Sequence, residues 1–206
     1  MSGLLGKKLR MTQVFDDTGR SIPVTVIAAG PCYVSQVKTV DKDGYQAVQI
    51  GYMEQKEKHA KKPNVGHLKK ANLKPLKYLR EFDLPMDAEV KVGDELKVDM
   101  FEEGEEVVIS GYAKGRGFQG VMKRHGFHGA QKTHGQSDRE RAPGSIGQSS
   151  DPSRVIKGMK MAGKKGNNRV TVPSVQVVKV DSERNLIFIK GPVPGGPDSL
   201  VEIKKV

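Results

Sequence analysis

Residues 123–154, KRHGFHGAQKTHGQSDRERAPGSIGQSSDPSR, hold only four apolar side chains, Phe127, Ala130, Ala142 and Ile146, in 32 positions. A segment so poor in apolar surface cannot offset the roughly 1–2 kcal/mol of backbone entropy that each ordered residue costs. Alone it should be mobile, and it should gain a shape only against another molecule. Strand-like sequence lies beyond it on both sides, so it reads as an internal loop held at its base and not as a tail. Going out and back at about 16 residues per arm and ~3.3 Å per residue, it could reach on the order of 50 Å. A loop of that length without a core of its own is usually either functional or disordered.

Its charge says what that other molecule is. The 206 residues carry 35 Lys plus Arg against 24 Asp plus Glu, a formal net charge of +11. Residues 1–113 hold 17 basic and 17 acidic side chains, and residues 171–206 hold 5 and 4. Residues 114–170 hold 13 and 3, together with 11 of the 24 glycines and three of the five histidines. Nearly the whole excess is therefore confined to one glycine-rich stretch, which fits a polyanionic partner. The single cysteine, Cys32, rules out an intrachain disulfide framework and a cysteine-built zinc site and suits a reducing compartment. Neither a signal peptide nor an apolar run of ~18 residues is present, so a soluble, cytoplasmic protein is expected.

The flanking sequence is expected to be mainly β. Residues 22–28, 33–40, 45–52 and 106–112 alternate on a two-residue period and are rich in β-branched side chains. Residues 174–180 and 185–191 form a hairpin across Asp181-Ser182-Glu183-Arg184. Short strands at this spacing suggest a small closed β-barrel. Residues 54–80 break the pattern: they are Lys-rich and read as a short α or irregular surface insertion, with at most a helix around His67 to Asn72 between Pro63 and Pro75. The expected organisation is a body of residues 1–113 and 171–206, with residues 114–170 as a basic extension whose innermost loop is 123–154.

Two glycine patterns resemble nucleotide sites and fail on context. Gly115-Arg116-Gly117-Phe118-Gln119-Gly120 fits G-x-G-x-x-G, but the residues after Gly120 are basic and aperiodic where a dinucleotide fold needs a helix and a parallel strand. In Gly158 to Lys165, Lys165 stands where a P-loop needs a hydroxyl for magnesium. His125, His128 and His134 match no common ligand spacing, and cations surround them. Ser145 lacks the spacing of a nucleophile elbow. Asp138, Glu140 and Asp151 lie among cations that favour their ionised forms, the wrong direction for a general acid. No catalytic constellation, metal site or cofactor is expected. The chemistry that remains is phosphate neutralisation by Lys and Arg, close backbone approach at glycines, and ring faces from Phe118, Phe127 and the histidines for unstacked bases.

The blocks GKKLRMTQVF (6–15), IPVTVI (22–27), DGYQAVQIGY (43–52), KGRGFQGVMKRHGF (114–127), THG (133–135), APGSIGQ (142–148), KGMKMAG (157–163), RVTV (169–172) and NLIFIKGPVPG (185–195) closely resemble the bacterial large-subunit ribosomal protein L three family, collinearly over essentially the whole chain. The resemblance implies a β-barrel of the translation-protein type docked on the 3′ part of the large-subunit rRNA, with a long loop threading toward the peptidyl transferase centre. It also implies an early role in subunit assembly and ribosomal proteins L fourteen and L nineteen as neighbours. The expected rRNA-binding set is Lys7, Lys8, Lys114, Arg116, Lys123, Arg124, His125, His128, Lys132, His134, Arg139, Arg141, Arg154, Lys157, Lys160, Lys164, Lys165 and Arg169. Gly144, Ser145, Ile146, Gly147, Gln148, Ser149 and Ser150 would form the loop tip. The family's methylated glutamine falls at Ser150, so that modification is not expected here. Asp138-Arg139-Glu140-Arg141 lowers the charge where the family often has His and Arg, and Pro152-Ser153-Arg154 replaces a Pro-Gly-basic run. A free-standing RNA-binding or RNA-chaperone protein shares the same electrostatics and stays open on the sequence.

Overall fold

A computed structural model describes residues 3–83 and 90–206 and divides the chain into two compact units, Met1–Ala113 with Arg169–Val206, and Lys114–Asn168. In chain order the strands of the first unit are β1 (Gly3–Phe15), β2 (Ser21–Ala29), β3 (Cys32–Lys38), β4 (Ala47–Glu54), β5 (Leu76–Asp83), β6 (Glu95–Leu96) and β7 (Glu106–Tyr112). The second unit contributes β8 (Phe118–Gln119) and β9 (Gly163–Lys164), and the chain returns to the first with β10 (Arg169–Asp181), β11 (Leu186–Lys190) and β12 (Leu200–Lys205).

Six strands close a barrel in the order β1-β12-β7-β10-β11-β2, every pair antiparallel. The mainly β class and the small closed barrel expected from the sequence are both present. Closure leaves no unpaired edge within the barrel. Pro173 lies inside β10, tolerated because the register against β7 shifts between Val172 and Val175 and the ladder needs no donor there. Strands β5-β4-β3-β6 make a second sheet. Leu4, Leu5, Ile27, Ile109, Ile187 and Ile203 of the barrel share one buried cluster with Cys32, Val34, Val48, Ile50 and Phe82 of that sheet. Burial on both faces explains why Val24 to Ile27 are all inaccessible where a one-faced strand would alternate. Thr25, buried among them, donates its hydroxyl to the Gly191 carbonyl at 2.6 Å.

Several segments differ from the sequence expectation. Residues 40–43 form a helical turn, α1 (Val40–Asp43), closed by Gly44, where strand was expected to run on to residue 40. The helix expected around His67 to Asn72 is α2 (Lys62–Lys69), shifted toward the N-terminus. Pro63, read as its boundary, sits in its first turn, where the missing N–H has no helical acceptor and the fixed φ is already suitable. Residues 76–80 are not irregular but open β5, which pairs with β4 from Glu54↔Leu76 to Ala47↔Asp83.

The second unit has one buried residue among its 55, Val121, on α3 (Val121–His125). Its first and last arms are joined by backbone bonds from the Arg116 amide to the Lys165 carbonyl (2.8 Å) and from the Lys165 amide to the Gly117 carbonyl (3.0 Å), and by the β8–β9 pair. Gly166 has φ +75°, and a Cβ there would lie 2.0 Å from the Lys114 carbonyl oxygen, so the two arms approach as closely as only glycine allows.

Candidate nucleic-acid interface

The cations of the second unit divide by what they touch. Lys165 directs its ammonium at the carbonyls of Lys123 and Arg124, the unsatisfied C-terminal end of α3, where a cation also complements the helix dipole. The Arg124 guanidinium donates to the Met161 carbonyl at 2.7 Å, and a His125 ring nitrogen lies 3.0 Å from the same oxygen. These three side chains brace the outgoing arm to the returning one. Sequence reading groups them with the RNA contacts because type and charge are all it sees, and the carbonyls they meet lie 36 to 42 residues away.

Lys114, Arg116, Lys123, Lys132, Arg139, Arg141, Arg154, Lys157, Lys160 and Lys164 engage no carboxylate among the described residues. All seven ion pairs found there lie in the first unit. The second unit thus holds twelve Lys and Arg side chains with no internal counter-charge, although Asp138, Glu140 and Asp151 are in the same unit. The three expected contacts outside this unit are differently placed. Lys7 pairs with Asp198 at 2.8 Å, and Arg169 with Glu202 at 2.6 Å, a contact that raises the guanidinium pKa further. Lys8 donates to the carbonyls of Val193 (2.7 Å) and Gly195 (3.3 Å) and so pins the loop before β12.

Beyond the brace, the Ala130 amide donates to the Glu140 carbonyl at 2.9 Å and closes a subloop holding Lys132, His134 and Arg139. Gly129, φ +82°, is required there, since a Cβ would meet that carbonyl at 2.5 Å. An open depression of about 540 Å³ is lined by Phe127, His128, Arg139 and Pro143 together with backbone of Gly129 and Gly144. Ring, imidazole and guanidinium faces around a hollow of that size suit a flat, unstacked base. His125 and Phe127 stand 6.1 Å apart at a 43° tilt. Ser145, Ile146, Gly147, Gln148, Ser149 and Arg154 line a second, shallower depression, and the Ser145 hydroxyl turns back onto the Gly147 carbonyl at 2.9 Å. Ser150, like every residue from 141 to 162, is exposed. Among the described residues no three His, Cys, Asp or Glu side chains gather as a metal-binding group, and no helix is long and apolar enough to cross a membrane.

Sequence reading misses one class of residue. Val155, Ile156, Met159 and Met161 are exposed, as are Phe118 (77%) and Ile146, which the sequence already marks as a ring face and as part of the loop tip. Large apolar side chains left open beside unpaired cations mark a surface that something covers. The signal is there in Val155-Ile156 and in the two methionines, but no periodicity accompanies it.

A family model for ribosomal protein L3 matches residues 79–186, which contain the whole second unit. The large ribosomal subunit protein uL3 of Roseiflexus sp. (strain RS-1) is 55% identical over 205 residues, covering 100% of this chain and 97% of its own length. The chain belongs to the ribosomal protein L3 family. Its uL3 relatives in Chloroherpeton thalassium and in a Synechococcus strain are 54% and 48% identical over 204 and 201 residues, each covering 98% of this chain and 98% and 94% of their own lengths. Family membership bears out the resemblance carried by the motif blocks, and the second unit lies wholly within the matched region.

Proposed function

We propose that this chain is a structural component of the large ribosomal subunit whose second unit is an rRNA-binding arm. The observation that carries the reading is the segregation of counter-charge: among the described residues there are seven ion pairs in one unit and none in the other, although the other holds twelve cations. Unpaired Lys and Arg release condensed counterions when they meet backbone phosphates, which is the dominant sequence-independent drive for nucleic-acid binding. Lys132, Arg139, Arg141, Arg154, Lys157 and Lys160, with Lys114, Arg116, Lys123 and Lys164, supply phosphate contacts. His128 and His134 supply donors and ring faces. Arg124, His125 and Lys165 hold the arm in shape. Lys7 exchanges the exposed Asp198 carboxylate for a phosphate, at little cost because surface ion pairs are worth about 0–1 kcal/mol, and Arg169 can leave the largely buried Glu202 to Arg80, which also pairs with it. Lys8 acts through the loop it pins.

Resemblance to the family supports an arm that runs toward the peptidyl transferase centre, with the residues from Gly144 to Ser150 as its tip. With no nucleophile-base pair at that tip, the protein buttresses an RNA site and supplies no reacting group. Docking on the 3′ part of the large-subunit rRNA, early action in assembly, a cytoplasmic location and neighbours L fourteen and L nineteen complete the proposal. Sedimentation of cell extract tests it. The chain is expected at one copy per large subunit, and a chain found mainly at the top of the gradient overturns the reading in favour of a free RNA-binding protein.

A further inference from the structure

The methionines of this chain divide by what covers them. Met53 and Met100 pack against the core cluster of the first unit. Met122, on α3, lies over Gly129, where a Cβ would stand 3.4 Å from its sulfur. Met159 and Met161, on the returning arm, are 39% and 37% exposed, and Val155 and Ile156 just before them are open too. Their backbone is nevertheless held. The Met159 amide donates to the Ile156 carbonyl at 3.3 Å across Gly158, whose φ is +85°. The Met161 carbonyl takes the Arg124 guanidinium at 2.7 Å and has a His125 ring nitrogen at 3.0 Å. Two thioethers are thus kept at the surface on a braced segment, with Lys157, Lys160 and Lys164 exposed around them. Met11 is also exposed, but it stands on β1 in the first unit, opposite Thr25.

An open thioether is a nucleophile toward peroxides. A sulfur lone pair attacks one peroxide oxygen, the O–O bond breaks, an S–O bond forms, and water leaves. Sulfur loses the two electrons that the peroxide gains. The product turns a flexible apolar side chain into a polar, chiral one, and methionine sulfoxide reductases reverse the change with thiol electrons. Before oxidation the polarisable thioether suits an irregular apolar contact or the edge of a ring. Afterwards the same position presents a hydrogen-bond acceptor, which phosphate oxygens and carbonyls cannot satisfy. Cys32 does not compete for the oxidant, because it is buried and burial keeps its thiol protonated.

We infer that Met159 and Met161 form a reversible oxidation site on the arm, at which conversion to the sulfoxide by peroxide weakens the hold on RNA. The inference rests on the reading of the arm as rRNA-binding, and the experiment separates the two. Full-length protein, free or bound to a large-subunit rRNA transcript, is treated with hydrogen peroxide, and sulfoxide at each methionine is followed by peptide mass spectrometry. In the free protein Met159 and Met161 are expected to oxidise severalfold faster than Met53, Met100 and Met122, and bound RNA is expected to slow both. Equal rates at open and packed methionines overturn the site, as do rates that RNA leaves unchanged. Affinity for the transcript is measured alongside. The Met159→Leu, Met161→Leu double variant, which conserves volume and apolarity, should bind as the unsubstituted chain does. After peroxide the unsubstituted chain should bind severalfold more weakly and recover on treatment with the reductases specific for the two sulfoxide epimers, while the double variant should be unaffected. A loss of equal size in the variant places the effect elsewhere, Met11 included, and overturns the inference while RNA binding stands. If the untreated protein does not bind the transcript, the reading of the arm falls and this inference falls with it.

Discussion

Lys38, Tyr45 and Glu81 form a surface cluster on the second sheet. The Lys38 ammonium lies 2.7 Å from one Glu81 oxygen and also meets the Tyr45 hydroxyl, which donates to the other Glu81 oxygen at 2.8 Å. Lys38 first, then Tyr45, hold the Glu81 carboxyl below its usual value of 4.5, while Lys38 is raised by the same contacts. A carboxylate whose folded pKa is depressed adds stability above its unfolded pKa and loses it as pH falls through the folded value. The contribution should therefore be complete at neutral pH and begin to fade below about pH 4.5. Glu81→Gln is expected to lower the melting temperature modestly at pH 7 and hardly at all in strong acid. An equal loss at both ends of a pH series of thermal melts would contradict the assignment. Cys32 is the opposite case: burial pushes its thiol up to about 12, and its Sγ–H points at the Leu5 carbonyl at 3.4 Å, so it packs as a small apolar group.

Among the elements, the join at Gly166 is the most exacting. Positive φ and a carbonyl where Cβ would stand mean that Gly166→Ala costs the roughly 1–2 kcal/mol of the left-handed region and forces the arms apart as well. The expected outcome is faster amide exchange at Arg116 and Lys165 with the barrel's thermal transition unmoved; protection unchanged at both amides would show that the join tolerates the side chain. How far each element is legible in the sequence depends on its surroundings. Strands β2, β4, β7 and β11 are readable because apolar side chains mark them out between turn signals. Strands β1, β5 and β12 are not. Gly3, Gly6 and the lysines of β1 hide its pattern, Lys77 and Arg80 break up β5, and β12 alternates Val201 and Ile203 with charges over only six residues. The short helix is legible but its bounds are not, because a proline such as Pro63 can open a helix as well as end one, and only its position in the helix decides which.

At the scale of the whole molecule, charge division exposes the arm from sequence because its excess is contiguous. The same arithmetic hides the Lys-rich segment, since residues 54–80 at +7 and residues 81–106 at −9 nearly cancel when summed. Replacing residues 125–153 by a short Gly-Ser linker removes Lys132, Arg139 and Arg141 and is expected to lessen the salt slope for rRNA by about 2–3. The barrel should melt as before, and a cooperative loss of the whole fold would contradict an arm that contributes no core. A further property comes from the seam between β1 and β12, where Gly3 faces Lys204. During synthesis the opening strand cannot find its neighbour until residues 200–205 exist, so β1 and β7 both wait with open hydrogen-bonding edges. Residues 114–168 are made well before that moment. A nascent chain can therefore offer its cations to a transcript while its own scaffold is still unfinished, which would let RNA act as the template on which the protein completes itself.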